Sequence, residues 1–209
     1  MYTIREAAWM LQQSEAKLRR WLFAAGEAQF LHGMKAGRAC FIEFPVLIEA
    51  LVVGQLRAAG FPMQQIRRAR TAFAKRTQAE YPFAHETLRI DCNNKKLYWL
   101  ADGSLTDLES QQMAFLKVIG PYLDALEFDP ATHMATRWAI GRGVVVDPNV
   151  GYGGPVIAGT RVSADLVAAM FKRTGDAAAT AEWYDITPDQ VHAASDLMTR
   201  LAAKRQMAA

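Results

Sequence analysis

The residues best equipped to do chemistry in this chain are cations. Lys17, Arg19 and Arg20 lie in one short stretch, Ser14-Glu15-Ala16-Lys17-Leu18-Arg19-Arg20-Trp21-Leu22, and Lys35 and Arg38 follow in the turn-rich loop His32-Gly33-Met34-Lys35-Ala36-Gly37-Arg38. Arginine offers a planar fork of donors that fits a phosphate or the O6/N7 edge of guanine, and lysine a compact ammonium. To use them on a duplex, the chain must hold them on one face of an element that fits a groove. Thr3 and Glu6 stand three apart, as a capping box requires, and open a short helix whose apolar side is Ile4, Ala7, Ala8 and Leu11. Ser14 is placed to cap a second helix. On it Leu18, Trp21, Leu22 and Ala25 share one face, while Gln13, Lys17, Arg20 and Ala24 share another. Two short helices with a tight turn, the second cationic on its free face, is the pattern of a helix-turn-helix. The plainer alternative is an ordinary solvated basic helix.

The next residues weigh toward the first reading. Arg38 to Phe44 alternates as a strand, so that the loop and strand together form a wing able to carry Lys35 and Arg38 to the backbone or the minor groove. Pro45 starts a helix through Leu47, Leu51 and Leu56 to Gly60, and Phe61-Pro62-Met63-Gln64-Gln65-Ile66 begins another. The first of these helices is apolar almost all round, with Val46, Leu47, Ile48, Leu51, Val52 and Val53, and must be covered on more than one side. The second is heavily basic, with Arg67, Arg68, Arg70, Lys75 and Arg76, and either reaches flanking phosphates or is a solvated face.

Leu18-Arg19-Arg20-Trp21, Gly37-Arg38-Ala39-Cys40-Phe41, and Leu56-Arg57-Ala58-Ala59-Gly60-Phe61 with Ile66 resemble the MerR-type winged helix-turn-helix over about seventy residues. The resemblance implies that Ser14, Lys17, Arg19, Arg20, Lys35 and Arg38 bind DNA. Two departures stand out. Gln12 occupies a turn position where the family often has glycine, and Pro82 interrupts the chain where the family's long dimer helix would run.

Charge is distributed unevenly. The net charge of the 209-residue chain is +3, yet residues 1–78 carry 12 Lys or Arg against 5 Asp or Glu, and residues 79–209 carry 12 against 16. A basic head on a mildly acidic body suits contact with nucleic acid at one end. No run approaches the roughly 18 to 20 apolar residues of a membrane span, and the N-terminus does not read as a signal peptide. Cys40 and Cys92 are far apart and form no metal or disulfide pattern. The expectation is a cytoplasmic protein with no membrane contact, no cofactor and no metal.

Residues 78–86, marked by Pro82, read as a linker. Thr87 to Asp91 and Lys95 to Leu100 read as two strands joined by Asn93-Asn94, with a further turn at Asp102-Gly103. Thr106-x-x-Glu109 is a capping box that predicts a helix from about Asp107 to Leu126, kinked or split at Gly120-Pro121. Thr132 to Ile140 returns as a strand. The middle carries no identifiable chemistry, which leaves spacing, dimer contact or partner contact.

The last block opens on the extended Val144-Val145-Val146-Asp147-Pro148 and a glycine-rich run, Gly151 to Gly154, leading to Pro155-Val156-Ile157-Ala158-Gly159-Thr160-Arg161-Val162. Such a loop could cradle phosphate in its amides, but it lacks the Lys-Ser/Thr pair of a nucleotide loop and enters no helix directly. A structural turn is the favoured reading. Three helices follow, begun by Ser163, Asp176 and the capping box Thr187-Pro188-Asp189-Gln190, with Gly175 as a stop after the first. Leu166, Met170, Ala181, Tyr184, Val191, Ala194 and Leu197 are expected to form their shared core.

This block resembles a small helical domain, long known only as a domain of unknown function, that occurs in antitoxins of bacterial toxin–antitoxin pairs. The residues that carry the likeness are Asp147-Pro148, Gly154 to Val162 and Ile186 to Ala194. The whole chain is similar to VapB-type antitoxins that join this domain to a MerR-like head. Gly154, Pro155, Gly159, Thr160 and Arg161 are implied as structural or partner-binding residues. Arg161 would pair with a carboxylate of its own domain or a partner's, the former being favoured. The last two helices resemble a helix-turn-helix, but Asp189 opens the would-be reading helix and opposes a phosphate backbone, so protein contact is preferred.

His32, His85, His133 and His192 are scattered, and no nucleophile elbow or paired-carboxylate motif is present. The expectation is therefore not an enzyme. The chain is expected to be mainly α with small β elements (α+β). Residues 1–78 form the winged helix-turn-helix, 79–143 an α+β middle module, and 144–209 a helical antitoxin-type domain. The resemblance implies a sequence-specific transcriptional autorepressor, dimeric on operator DNA, that neutralises a partner toxin, a PIN-type ribonuclease. The alternative is a MerR-like regulator without a toxin, whose C-terminal part dimerises or binds a small ligand.

Overall fold

The structure is a computed structural model that describes residues 1–23, 30–91, 96–101, 104–108, 113–114 and 124–206. Its architecture is mixed α+β, as expected, with seven helices and three small antiparallel sheets among the described residues.

Strand β1 (Tyr2–Thr3) leads directly into α1 (Ile4–Leu11). The capping box forms: Glu6 N–H donates to Thr3 Oγ1 at 3.2 Å and Thr3 N–H to Glu6 Oε2 at 2.8 Å. Ile4, Ala7, Ala8 and Leu11 are buried as their spacing requires, with Met10. Gln12 ends the helix at φ 53°, in the left-handed region, with its N–H on the Ala8 and Trp9 carbonyls. This accounts for the absent turn glycine. A left-handed residue with a Cβ costs about 1–2 kcal/mol, and the two capping bonds hold it. Helix α2 (Glu15–Phe23) follows, with Lys17 N–H donating to Ser14 Oγ at 3.3 Å and Leu18, Trp21 and Leu22 buried.

The expected strand forms as β3 (Ala39–Ile42), and part of the stretch expected to be a loop is itself a strand, β2 (Met34–Ala36), paired with it as a hairpin. The sheet order β1-β3-β2 adds β1 on its far edge, with Tyr2 opposite Ile42. Helix α3 (Phe44–Ala58) is buried on several sides, and its surroundings include α1, α4 (Met63–Thr77) and a 3-10 turn at Pro82–Ala84. The stretch expected to be a linker is thus packed rather than free. Phe83 and Ala84 are fully buried, because α3 has an apolar face that α1 and α4 do not cover.

A four-stranded sheet in the order β4-β5-β6-β7 follows, built from β4 (Leu88–Asp91), β5 (Lys96–Ala101), β6 (Ser104–Asp107) and β7 (Met113–Ala114). The first two strands match expectation. The helix expected from Asp107 to Leu126 is overturned where the structure describes it. Thr106 and Asp107 belong to β6, Met113–Ala114 to β7, and Leu126 to β8 (Leu126–Phe128). The local capping signal loses to cross-strand pairing of Thr106 with Trp99, and Asp107 is buried against Lys96 Nζ at 2.8 Å. The turns expected at Asn93-Asn94 and Asp102-Gly103, the helix kink expected at Gly120-Pro121, and Cys92 lie outside the described residues.

Strand β9 (Ala135–Gly141) lies between β8 and β10 (Val144–Val146), and β11 (Pro155–Ile157) completes the third sheet. Helices α5 (Ala164–Thr174), α6 (Ala177–Tyr184) and α7 (Pro188–Gln206) close the chain. Their start signals act as expected at two places. Asp176 accepts from Ala179 N–H at 3.0 Å, and Thr187 and Gln190 exchange bonds of 2.8 and 3.3 Å. Ser163 is the N-cap of α5 but makes no side-chain cap bond.

The core expected for these helices is corrected in one respect. Leu166 is 57% exposed and Met170 only partly buried, while Ala164, Val167 and Ala168 point inward with Ala181, Val191, Ala194, Leu197 and Leu201. Small residues at the inner stripe let α5 approach α7 closely, which pushes the larger stripe outward. Two apolar cores result, one running from Tyr2 to Val146 and one under the last helices, with Trp9 of α1 and Ile140 of β9 packed against both. None of the described helices is long and apolar enough to cross a membrane.

Candidate functional site

Helix α2 and the β2–β3 hairpin are joined side to side. Arg19 Nη1 donates to Cys40 Sγ at 3.5 Å, and Lys35 Nζ stands 5.3 Å from the centre of the Phe23 ring. Gly33 lets Phe23 sit against the entry to the hairpin, since a Cβ there would be 2.3 Å from Phe23 Cζ. Arg19 of α2 and the hairpin that carries Lys35, with Arg38 in its turn, are therefore set side by side, while Ser14 precedes α2 and Lys17 and Arg20 lie elsewhere on that helix.

The cations differ. Lys17 is the most constrained: its Nζ donates to Gln13 Oε1 at 2.7 Å and lies 5.3 Å from the Trp21 ring centre. Gln13 is itself held against Gly54 of α3, where an added Cβ would meet its Nε2 at 3.2 Å. Partial burial, then Arg57 and Arg20, lower the Lys17 pKa below the ordinary lysine value. Arg19 faces Glu15 at 4.0 Å, and Glu15 also faces Arg5 at 3.7 Å, loose exposed pairs of little energetic weight. Arg20 and Arg38 are exposed and form no ion pair or hydrogen bond among the described residues. They can meet an incoming anion without breaking an internal bond. Arg57 was not singled out by the sequence reading; its proximity to Lys17 depends on the packing of α3 against α1.

The basic helix α4 divides its charges. Arg70 forms a bidentate pair with the fully buried Glu49, at 2.9 and 2.8 Å, and Arg76 lies 5.3 Å from the Trp99 ring. Burial raises the Glu49 carboxyl, opposed by Arg70 and by the Phe83 N–H. At least these two arginines serve the fold, so the cations of α4 are not all a solvated face.

At the other end, the Gly-Thr-Arg motif is a turn. Thr160 N–H donates to the Ile157 carbonyl at 3.0 Å, Gly159 takes φ +79°, and Thr160 Oγ1 donates to Ile157 O at 2.9 Å while accepting from Val162 N–H at 3.0 Å. A glycine at the third position with positive φ is what a type II turn requires. Gly154 leads into Pro155, which is buried on β11. Arg161 is exposed and pairs with no carboxylate among the described residues, so the internal ion pair favoured for it is not formed. Asp147, of the Asp147-Pro148 pair, is held by Arg137 at 3.3 Å and by Asn149 N–H at 2.8 Å.

Residues 144–196 match the family described as a protein of unknown function (DUF433). The chain is 27% identical to the candidate antitoxin VapB45 of Mycobacterium tuberculosis, over 94% of its own length and 92% of that protein's. The C-terminal block, residues 144–196, is thus similar to that family, and the chain as a whole is similar to that candidate antitoxin.

The fold extends the likeness. The crystal structure of Rv2018 from Mycobacterium tuberculosis superposes with a TM-score of 0.69 at 23% identity, covering 92% of this chain and 96% of that one. The matched C-terminal domain does not stand apart from the rest. Gly153 packs on the Tyr2 ring, Trp9 reaches its core, and Arg200 Nη2 of α7 donates to the Ile140 carbonyl at 3.2 Å. Among the described residues no group of three or more His, Cys, Asp and Glu could hold a metal ion. His192, exposed, meets the edge of Phe171 with ring centres 5.2 Å apart.

Proposed function

We propose that the chain is a DNA-binding autorepressor and antitoxin. Residues 1–78 would act as a MerR-like winged helix-turn-helix, residues 79–143 as a connecting module, and residues 144–209 as the antitoxin domain that holds a partner toxin. The partner is a PIN-type ribonuclease in this reading, and the protein acts as a homodimer in the cytoplasm. The observation that carries the DNA half is the unpaired, exposed Arg20 on α2 beside a hairpin that presents Lys35 and Arg38. A helix of this kind fits the major groove while the hairpin meets the flanking backbone. Ser14, Lys17 and Arg19 complete the contact set. The toxin half is supported by the likeness to the candidate antitoxin along almost the whole chain.

Fluorescence anisotropy tests the DNA half. The pure protein is titrated against labelled DNA from upstream of its own gene and against scrambled DNA, at near-physiological salt. A preference of about a thousandfold or more is expected. Equal binding to both sequences overturns sequence-specific repression. Co-expression with the product of the neighbouring gene tests the toxin half. Failure to co-purify, with DNA binding intact, leaves a transcription regulator without a toxin.

A further inference from the structure

Helix α5 has two apolar stripes, and only one is used. Ala164 and Val167 are buried in the core of the antitoxin-like domain, and Ala168 is buried on the same side. Leu166, Ala169, Met170 and Arg173, at i, i+3, i+4 and i+7, line its opposite side. With Trp183 and Tyr184 of α6 they enclose an open groove of about 350 Å³. Leu166 is 57% exposed and Trp183 75%. Scattered exposed apolar side chains are unremarkable, but a contiguous set around a groove marks a contact surface. Trp is also the residue most often found to carry binding energy at such surfaces.

The polar chemistry of the groove specifies its occupant. Its only charged lining residue is Arg173, exposed and without an ion pair among the described residues, with Lys172 beside it in the last turn of α5. No carboxylate lines the groove. A second copy of this chain applied to the same face would bring two Arg173 guanidiniums into one small patch with nothing there to offset them. The geometry points to an amphipathic helix of the partner toxin, lying between α5 and α6. Its aliphatic row covers Leu166, Ala169, Met170 and Trp183, and a carboxylate on it pairs with Arg173. This inference rests on the antitoxin reading and names the surface that reading would use.

The full chain, co-expressed with the neighbouring gene product, tests it. Trp183→Ala is expected to weaken capture by about thirtyfold, and Arg173→Glu by about tenfold or more. Both residues are exposed, so the circular dichroism melting curve of each variant should match the unsubstituted chain. Arg142→Glu, an exposed cation outside the groove, should bind as the unsubstituted chain does. Unchanged affinity in both groove variants, with capture by the unsubstituted chain intact, overturns the inference and leaves the antitoxin reading standing. No capture by the unsubstituted chain overturns both. A chain that is dimeric alone and becomes monomeric on Trp183→Ala assigns the groove to a second copy, and overturns the inference as well.

Discussion

Tyr2 and Gly153 are packed so closely that a Cβ on the glycine would stand 2.7 Å from the tyrosine Oη. Tyr2 pairs with Ile42 on the hairpin strand and immediately precedes α1, whereas Gly153 belongs to the loop before the Gly-Thr-Arg turn. One contact therefore joins the cationic head to the C-terminal domain. The phenol is 2% exposed, and its Oη has no hydrogen-bond partner among the described residues. Burial, with Asp147 and Glu6 adding, pushes its pKa well above the ordinary tyrosine value.

Gly153→Ala should lower the melting temperature. Its φ of +81° costs an L-residue about 1–2 kcal/mol, and the added methyl must displace the Tyr2 ring. Tyr2→Phe removes a buried, unpaired hydroxyl, so it should be neutral or stabilising. Thermal denaturation of both variants checks the pair of signs; a strongly destabilised Tyr2→Phe would mean the hydroxyl has a partner in solution.

Arg70→Ala should cost about 3–5 kcal/mol, because it leaves Glu49 buried and unpaired. Glu49 is 0% exposed and also accepts from Phe83 N–H at 3.1 Å, so the substitution should loosen the Pro82–Ala84 turn as well. Denaturant unfolding measures the loss, and hydrogen exchange at Phe83 locates it.

Acid should destabilise the fold through His85. Its Nδ1 accepts from Thr87 N–H at 3.3 Å and lies 2.8 Å from Thr87 Oγ1, its ring faces His133 at 5.6 Å and the edge of Phe73 at 6.0 Å, and it is buried. Burial, then His133, lowers its pKa, with Glu86 opposing. A histidine depressed in the folded state is protonated first in the unfolded chain. Its contribution is present above the unfolded value of about 6.5 and is lost as pH falls through the folded value. Melting temperature should hold above pH 7 and decline below about 6.5, and His85→Phe should flatten that decline.

Arg20→Ala should weaken operator binding by about 1–3 kcal/mol if Arg20 reads a base, with relaxed sequence preference. If it meets phosphate, the loss should be similar for every sequence, and the dependence on salt should become shallower. Anisotropy over a salt series separates the two.

The local signals in this sequence were reliable where the competing forces were local. Thr3 with Glu6, Asp176 with Ala179, and Thr187 with Gln190 set helix starts because each bond spans three residues and forms within one turn. The 3.6-residue spacing of Leu18, Trp21 and Leu22 likewise fixed which face of α2 is buried, and hence that Lys17 and Arg20 lie off that face. The likeness of the last block to the family that residues 144–196 match was legible for the same reason, being carried by turn and cap residues adjacent in the chain.

Tertiary structure decided what depends on partners distant in sequence. Thr106-x-x-Glu109 has the signature of a helix start, yet Thr106 pairs with Trp99 and Asp107 is buried on Lys96, and the strand prevails. Helix α5 offers two apolar stripes of equal periodicity. Close packing against α7 chose Ala164, Val167 and Ala168 and left Leu166 and Met170 to line a groove. Arg70 looked like any other cation of a basic helix until Glu49, on another helix, was placed against it. Periodicity states that a helix has faces; only the shape and charge of what packs against them determine which face is core and which is surface.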